Sequence, residues 1–404
     1  MVKYNLLKEN KYDFLFALLI LTFPLSNALP NLIFGVLILL FLIFFKKDLL
    51  SNYHKSPFFI LNILVFYLFF QAIINNSFIQ DIGFYKKYFY LLIIPVLFLK
   101  VKKVQLLKLA AILAINITIF ISIFKTIKFY YYFKYLPFAD GWATNSVLHL
   151  ERPYAGLFSV ICIILSFEQI ILKTKQKYLF ILSFLLSMFF IFIISIRISI
   201  ITLFILLFIY GVFYLRINWK KKISFSIGLV LLFLTIFFLN RNIAKRFFID
   251  GNIKEVVQTT KEFEPRIIIW DCANTITKQD NFSILFGTDS YSNIKQSLIK
   301  CYSENITDFS RRNWFLEHKF NSHSQFIDLY LIGGLIAIIL LLLFLIKVII
   351  YNYNDFFTIA IIISFIMVLL IENIFHRQFG CFIFTIFTSL FLKKNHNLLK
   401  NDAH

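Results

Sequence analysis

Charge is scarce in this sequence, and acid is scarcer than base. Asp, Glu, Lys and Arg make up 15% of its 404 residues, with 21 acidic against 41 basic side chains. A typical soluble domain carries about a quarter charged residues, so a water-facing globule of ordinary composition is excluded. Glycine (11) and proline (7) are also few, while Phe (54) and Tyr (20) abound. That balance suits helices and argues against a barrel of short alternating strands. Several chemical signatures are missing as well. The chain has no HExxH, no C-x-x-C and no His/Asp cluster at metal-ligand spacing, and it lacks a Walker A loop and GxSxG. These absences speak against metal, dithiol, P-loop and serine-hydrolase chemistry.

What is present is apolar, at 60% of residues, and it is gathered into blocks separated by short Lys-rich connectors. A helix needs about 20 apolar residues to cross a bilayer. The blocks predict twelve spans, at 13–29, 30–45, 57–76, 86–99, 104–126, 153–172, 178–196, 198–216, 223–239, 325–351, 355–375 and 379–393. The fold class expected is therefore an all-α integral membrane protein with about twelve transmembrane helices. The first block has no small-residue cleavage site and runs into the second, so it reads as a retained helix.

Orientation follows from where Lys and Arg collect. Lys3, Lys8 and Lys11 precede the first span; Lys46, Lys47 and Lys55 follow the second; Lys100, Lys102 and Lys103 follow the fourth. Lys173, Lys175 and Lys177 follow the sixth, Arg216 and Lys220 to Lys222 follow the eighth, and Lys393, Lys394 and Lys400 close the chain. With twelve spans all these clusters fall on one face, which puts both termini in the cytoplasm. The net charge of +20 then reads as topology signal and contact with anionic membrane lipids, with no nucleic-acid partner.

The opposite face carries the long stretch 240–324, far beyond an ordinary connection. Its Phe, Ile, Leu and Trp recur at helical spacing, which predicts short amphipathic helices. Glu264-Pro265 reads as a helix start. From there Arg266, Trp270, Ala273 and Thr277 share one face, as on a helix lying along the membrane surface. Cys272 and Cys301 both fall in this loop, where an oxidising compartment permits a disulfide. Two cysteines in one loop need not be neighbours, so their pairing stays open.

Ionisable residues at the outer ends of spans are costly and few. They are Arg152 in Glu151-Arg152-Pro153-Tyr154, Arg197 in Ser195-Ile196-Arg197, and Glu372, His376 and Arg377. The loop adds Arg266, Arg311, Arg312, His318 and His323. Arginines facing one cavity make a clamp for phosphate or diphosphate, because the guanidinium fork meets such oxygens bidentately. The plainer reading has Arg197 snorkelling to the interface and Arg377 paired with Glu372. His323 stands in Asn321-Ser322-His323-Ser324-Gln325, just before a helix opening. The positive end of that helix favours a neutral imidazole able to accept a proton. Alternatively, Ser322 or Ser324 merely caps the helix and His323 is a bystander.

Taken in order, these elements resemble the O-antigen ligase and polymerase superfamily of bacterial membrane glycosyltransferases. The matching run is Arg152-Pro153-Tyr154-Ala155-Gly156, Ser195-Ile196-Arg197, Arg266-x-x-x-Trp270, Leu285-Phe286-Gly287, Asn321-Ser322-His323-Ser324-Gln325-Phe326 and Gly333-Gly334-Leu335. Glu372-Asn373 and Arg377-Gln378-Phe379-Gly380 resemble the closing element. Ser324 stands where Asn is common, and Thr288-Asp289 replaces a second glycine after Gly287.

The resemblance divides the chain into N-terminal helices (1–151), a catalytic region (152–393, with loop 240–324 in the periplasm) and a cytoplasmic tail (394–404). It implies an inner-membrane enzyme, active on its periplasmic face, that moves a glycan from undecaprenyl diphosphate to an acceptor. That acceptor is lipid A–core in a ligase, another lipid-linked repeat in a polymerase, or a protein hydroxyl in some relatives. It also implies no metal or other cofactor. The implied catalytic residues are His323, Arg266 and Arg197, with Arg152, Tyr154, Trp270, Arg377 and Glu372 binding substrate. A transporter of lipid-linked glycans is the rival from another class. It would show two related halves and interrupted spans meeting at the midplane, whereas this sequence has no internal repeat and keeps its charges at the outer rim.

Overall fold

A computed structural model describes residues 2–45, 47–139, 141–174, 176–239 and 264–401. Lys46, Lys175, the 240–263 part of the expected outer loop and the last three residues of the expected tail lie outside the described residues.

Every apolar block is helical: α1 (Val2–Thr22), α2 (Leu29–Ile43), α3 (Phe58–Ile74), α4 (Phe89–Phe98), α5 (Val104–Phe133), α6 (Arg152–Ile171), α7 (Lys177–Ile194), α8 (Arg197–Ile209) and α9 (Trp219–Leu239). The loop that follows contributes α10 (Pro265–Ile276), α11 (Tyr291–Asn305) and α12 (Phe309–His318), and the chain returns through α13 (Gln325–Tyr351), α14 (Phe356–Leu369) and α15 (Gln378–Asn401). No strand occurs among the described residues. Among the described residues, five segments are long and apolar enough to cross a membrane by themselves: α5, α6, α8 with its π-helical extension to Tyr214, α7 and α13. Shorter apolar helices (α2, α3, α14 and the Gln378–Lys393 part of α15) stand among them.

Boundaries depart from the expected ones in informative places. α5 runs seven residues beyond the expected 126, to Phe133, and a short helix at Gly141–Val147 fills the connector after it. α14 stops at Leu369, so Glu372 lies in the connector to α15 and not in a span. α15 continues past 393 into the expected tail.

α6 and α15 are the most enclosed helices. α6 buries most positions from Tyr154 to Gln169, and α15 buries Gly380 to Phe391. Between them Phe158 stacks on Phe379, with Phe23 at the end of α1 against both (centroids 5.5, 5.8 and 5.3 Å). Lipid tails are as apolar as these side chains, so such helices are held by close packing and by buried polar pairs. Lys108 of α5 meets Glu168 of α6 at 2.6 Å, with both side chains 3% exposed or less. Removing one partner of such a pair strands the other charge.

The α13 span is broken. Gly334 adopts φ +61°, ψ −159°, a conformation open essentially to glycine alone. The backbone groups this frees are taken by the turn carrying Leu285-Phe286-Gly287. The N–H groups of Leu335 and Ile336 donate to the carbonyls of Ile284 and Leu285 (2.9 and 3.4 Å), and Thr288 donates its N–H and hydroxyl to the Leu331 carbonyl (2.8 and 3.0 Å). From α3, Gln71 and Tyr67 donate to the carbonyls of Ile332 and Gly333 (3.0 and 2.8 Å). Irregular backbone within a span is tolerated only when satisfied in this way. A Cβ on Gly334 would lie 2.3 Å from the Leu285 carbonyl, and one on Gly287 2.6 Å from that of Leu331. Gly334→Ala is therefore expected to lower the unfolding temperature in detergent markedly. The backbone strain alone costs about 1–3 kcal/mol, whereas Gly35→Ala, with nothing near its Cβ, should be nearly neutral.

Candidate functional site

The amphipathic helix at 265–276 forms where Glu264-Pro265 predicts it, with Pro265 at its first turn. Its apolar stripe, Ile269, Cys272, Ala273 and Ile276, is buried among protein side chains. A disulfide between Cys272 and Cys301 ties it to α11 (Cα–Cα 5.7 Å), closing the question of their pairing. Such a bond suits an oxidising compartment. Tyr302 and Phe315 complete the packing with α12 (centroids 5.1 Å).

Held this way, α10 presents Arg266 and Trp270, one turn apart, to two returning segments. Trp270 donates its indole N–H to the Ser322 carbonyl (3.0 Å). Arg266 donates Nη1 to Glu264 (3.0 Å), Nη2 to Glu372 Oε1 (3.1 Å) and Nε to the Ile371 carbonyl (3.3 Å). The other carboxylate oxygen of Glu372 faces His323 Nδ1 at 3.4 Å. Nδ1 has no aligned hydrogen bond there, so the two groups face each other at contact distance. Two sequence-predicted residues, Arg266 and His323, thus converge on a third, the carboxylate of Glu372. Their side chains retain 29%, 18% and 25% exposure for Arg266, Glu372 and His323, which leaves them within reach of a ligand. Burial alone would raise the Glu372 carboxyl, but His323 and Arg266 outweigh it and hold it below the usual value. It stays anionic at neutral pH.

His323 owes its aim to its backbone. It sits at φ +44°, in the left-handed region, immediately before Ser324. Ser324 is the N-cap of α13, accepting from the Ile327 N–H at 3.5 Å. Cap and histidine therefore coexist, with the turn throwing the ring back toward Glu372 instead of along the helix. His318, by contrast, is exposed, bonded to the Trp314 carbonyl (2.9 Å) and stacked on Phe320.

The remaining arginines form a second group. Arg152 opens α6 and turns its guanidinium onto the carbonyls of Ile194 and Ser195 (2.7 and 3.2 Å), the left-handed turn that leads into Arg197. One helical turn on, Gly156 lets α6 approach the same segment: a Cβ there would lie 2.2 Å from Ser199 Oγ. The Arg152-to-Gly156 and Ser195-to-Arg197 motifs are thus in contact, and Arg197 is half-buried at the first position of α8. Arg377 pairs with Glu151 and lies over the Tyr154 ring at 5.6 Å, so it is not the partner of Glu372 that its spacing suggests. A cavity of about 330 Å³ opens beside Tyr154, Glu151 and Arg377, walled by His149 and the turn after α1. The connector after α14 carries both Glu372 and Arg377 and so joins the two groups in sequence.

Sequence reasoning missed the buried backing of the site. Asp328, 1% exposed on the first turn of α13, lies 2.5 Å from His376 Nε2 and accepts from Ser322 Oγ at 3.2 Å. A carboxylate inside an apolar block was the available signal.

No curated protein matches the chain. The family described as O-antigen ligase matches residues 182–342. That stretch contains Arg197, Arg266, Trp270 and His323, while Arg152, Tyr154, Glu372 and Arg377 lie outside it. The match at residues 182–342 supports the O-antigen ligase superfamily.

Proposed function

We propose that this protein is an inner-membrane glycosyltransferase that moves a glycan from undecaprenyl diphosphate to lipid A–core on the periplasmic face, with no metal in the step. Twelve crossings with both termini in the cytoplasm put the Arg266–Glu372–His323 group on that face. Labelling of a cysteine introduced at Asn281 from outside intact cells is the expected result, and labelling only from the cytoplasmic side would overturn the orientation.

The observation that carries the reading is the convergence of Arg266 and His323 on Glu372. An acceptor hydroxyl attacks the anomeric carbon, a C–O bond forms, and the bond to the diphosphate oxygen breaks. The hydroxyl proton goes to His323. Glu372 at Nδ1 holds the ring so that Nε2 faces the acceptor, the orienting role a carboxylate plays behind a catalytic imidazole. The leaving diphosphate gains charge, and arginine N–H groups stabilise it without proton transfer. Arg266 has five N–H donors, three of them engaged with Glu264, Glu372 and Ile371, which leaves two for an oxyanion. Arg197 and Arg152 complete the donor side, and the cavity beside Tyr154 and Arg377 receives part of the substrate.

The broken α13 span does not favour a transporter. In transporters, unwound backbone lines a solute or ion site, whereas here those groups are taken by the protein's own 284–288 turn and α3. Deletion of the gene followed by gel analysis of surface glycolipid tests the function. Loss of all long chains on core is expected of a ligase; a single repeat left on core would mark a polymerase of the same superfamily. An unchanged ladder would contradict both.

A further inference from the structure

We propose that Asp328 and His376 are a buried positioning pair that sets the backbone of His323 through Asn321. This deepens, and rests on, the reading of His323 as the residue serving the acceptor hydroxyl. A carboxylate only accepts hydrogen bonds, so the 2.5 Å contact to Asp328 Oδ2 places a proton on His376 Nε2. Which nitrogen of an imidazole carries the proton is fixed by the partner of the other, and Nδ1 is left with its lone pair facing Asn321 Nδ2 and the Tyr291 hydroxyl, both at 3.4 Å. Burial pushes the Tyr291 phenol up, with Asp328 and Asp81 adding to it, so that hydroxyl keeps its proton to donate. The amide of Asn321 is consistent with the same tautomer. Its Oδ1 accepts from the His323 N–H at 3.1 Å, which turns Nδ2 toward His376.

The result is a directed chain from Asp328 through His376 and Asn321 to the His323 amide, at the residue with φ +44°. A parallel link runs from Asp328 to Ser322 Oγ, which also accepts from Asn373 Nδ2 at 2.7 Å. Asp328 thus grips the 321–323 turn from beneath at two points, and the segment bearing Glu372 is fastened to the same turn. Neither Asp328 nor His376 needs to touch substrate. Their work is to keep His323 at reacting distance, where a displacement of about 1 Å can cost roughly 10²-fold.

The test compares purified Asp328→Ala, Asp328→Asn, His376→Leu and Asn321→Ala with wild type, using lipid-linked donor and acceptor. Asp328→Ala, His376→Leu and Asn321→Ala should lower kcat by roughly 10- to 100-fold with donor KM unchanged. Asp328→Asn, which still offers an oxygen to Nε2, should recover most of the rate. Combining Asp328→Ala with His323→Ala should cost no more than His323→Ala alone, as for residues acting as one unit. If Asp328→Ala does not fold, Asn321→Ala carries the comparison. A wild-type kcat in folded Asn321→Ala, or losses that multiply in the double variant, would overturn the proposal. Nitrogen-15 spectra of labelled histidine separate the two levels. The Nε2–H tautomer of His376 should be present in wild type and lost in Asp328→Ala. If that holds while His323→Ala transfers at the wild-type rate, the relay stands and the role given to His323 falls. Absence of the tautomer in wild type would overturn the relay itself.

Discussion

His323→Ala is expected to lose transfer by roughly 10²–10⁴-fold, the usual contribution of a positioned general base, while still binding the lipid-linked donor. The expectation follows from the division of labour at Glu372. Arginine side chains meet the diphosphate, whereas the imidazole meets the acceptor, so truncating the ring should leave donor affinity intact. Glu372→Gln should fall short of that loss, because the amide keeps an oxygen facing Nδ1 even though the charge is gone. His318→Ala supplies the control. It lies five residues away on the same outer segment, is exposed and bonded to the Trp314 carbonyl, and has the Phe320 ring between it and His323, so its effect should be small. Parallel donor-binding and expression measurements decide the case: loss of donor binding before loss of rate would mean that His323 belongs to the diphosphate side.

Arg266→Ala and Arg197→Ala should each abolish transfer in protein that still inserts. Arg266→Lys should rescue poorly for a geometric reason. The guanidinium reaches Glu264, Glu372 and the Ile371 carbonyl at once, and an ammonium at the end of a flexible stem cannot hold three such points and present a fork to phosphate. Losing Arg266 also leaves Glu372 partly buried beside His323 without its guanidinium partner. Arg266→Ala should thus harm both sides of the reaction, raising donor KM and lowering kcat, whereas Arg197→Ala should act chiefly through the donor. Near-normal activity in both Arg266→Lys and Arg197→Lys would show these to be ordinary interfacial charges.

The helices were readable because lipid imposes a length and a composition on any helix that crosses it, and each apolar block became a helix. The ordered motifs likewise named Arg266, His323 and Glu372, which the structure brings together. Pairing was not readable. Arg377 and Glu372 are five positions apart and look like partners, yet Arg377 goes to Glu151 and Glu372 to Arg266 and His323. These choices are made by the connector after α14, whose path no local periodicity encodes. The glycine pair at 333–334 was visible as a motif, but its role as a break plugged by Leu285-Phe286-Gly287 needs a contact some 50 residues away. Asp328 stood out as a carboxylate in an apolar block, but its contacts with His376, 48 positions on, and with Ser322 needed the fold.

The central claim is transfer itself: a glycan leaves a polyprenyl diphosphate and becomes bonded to an acceptor at His323 and Arg266. Purified protein in proteoliposomes, supplied with lipid-linked glycan and lipid A–core, tests it in one measurement of glycan on the acceptor and undecaprenyl diphosphate released. Both should appear in equal amounts with wild type, and neither above background with His323→Ala. Translocation of the intact donor across the bilayer with no glycosylated acceptor, or equal product from the His323→Ala protein, would contradict the account.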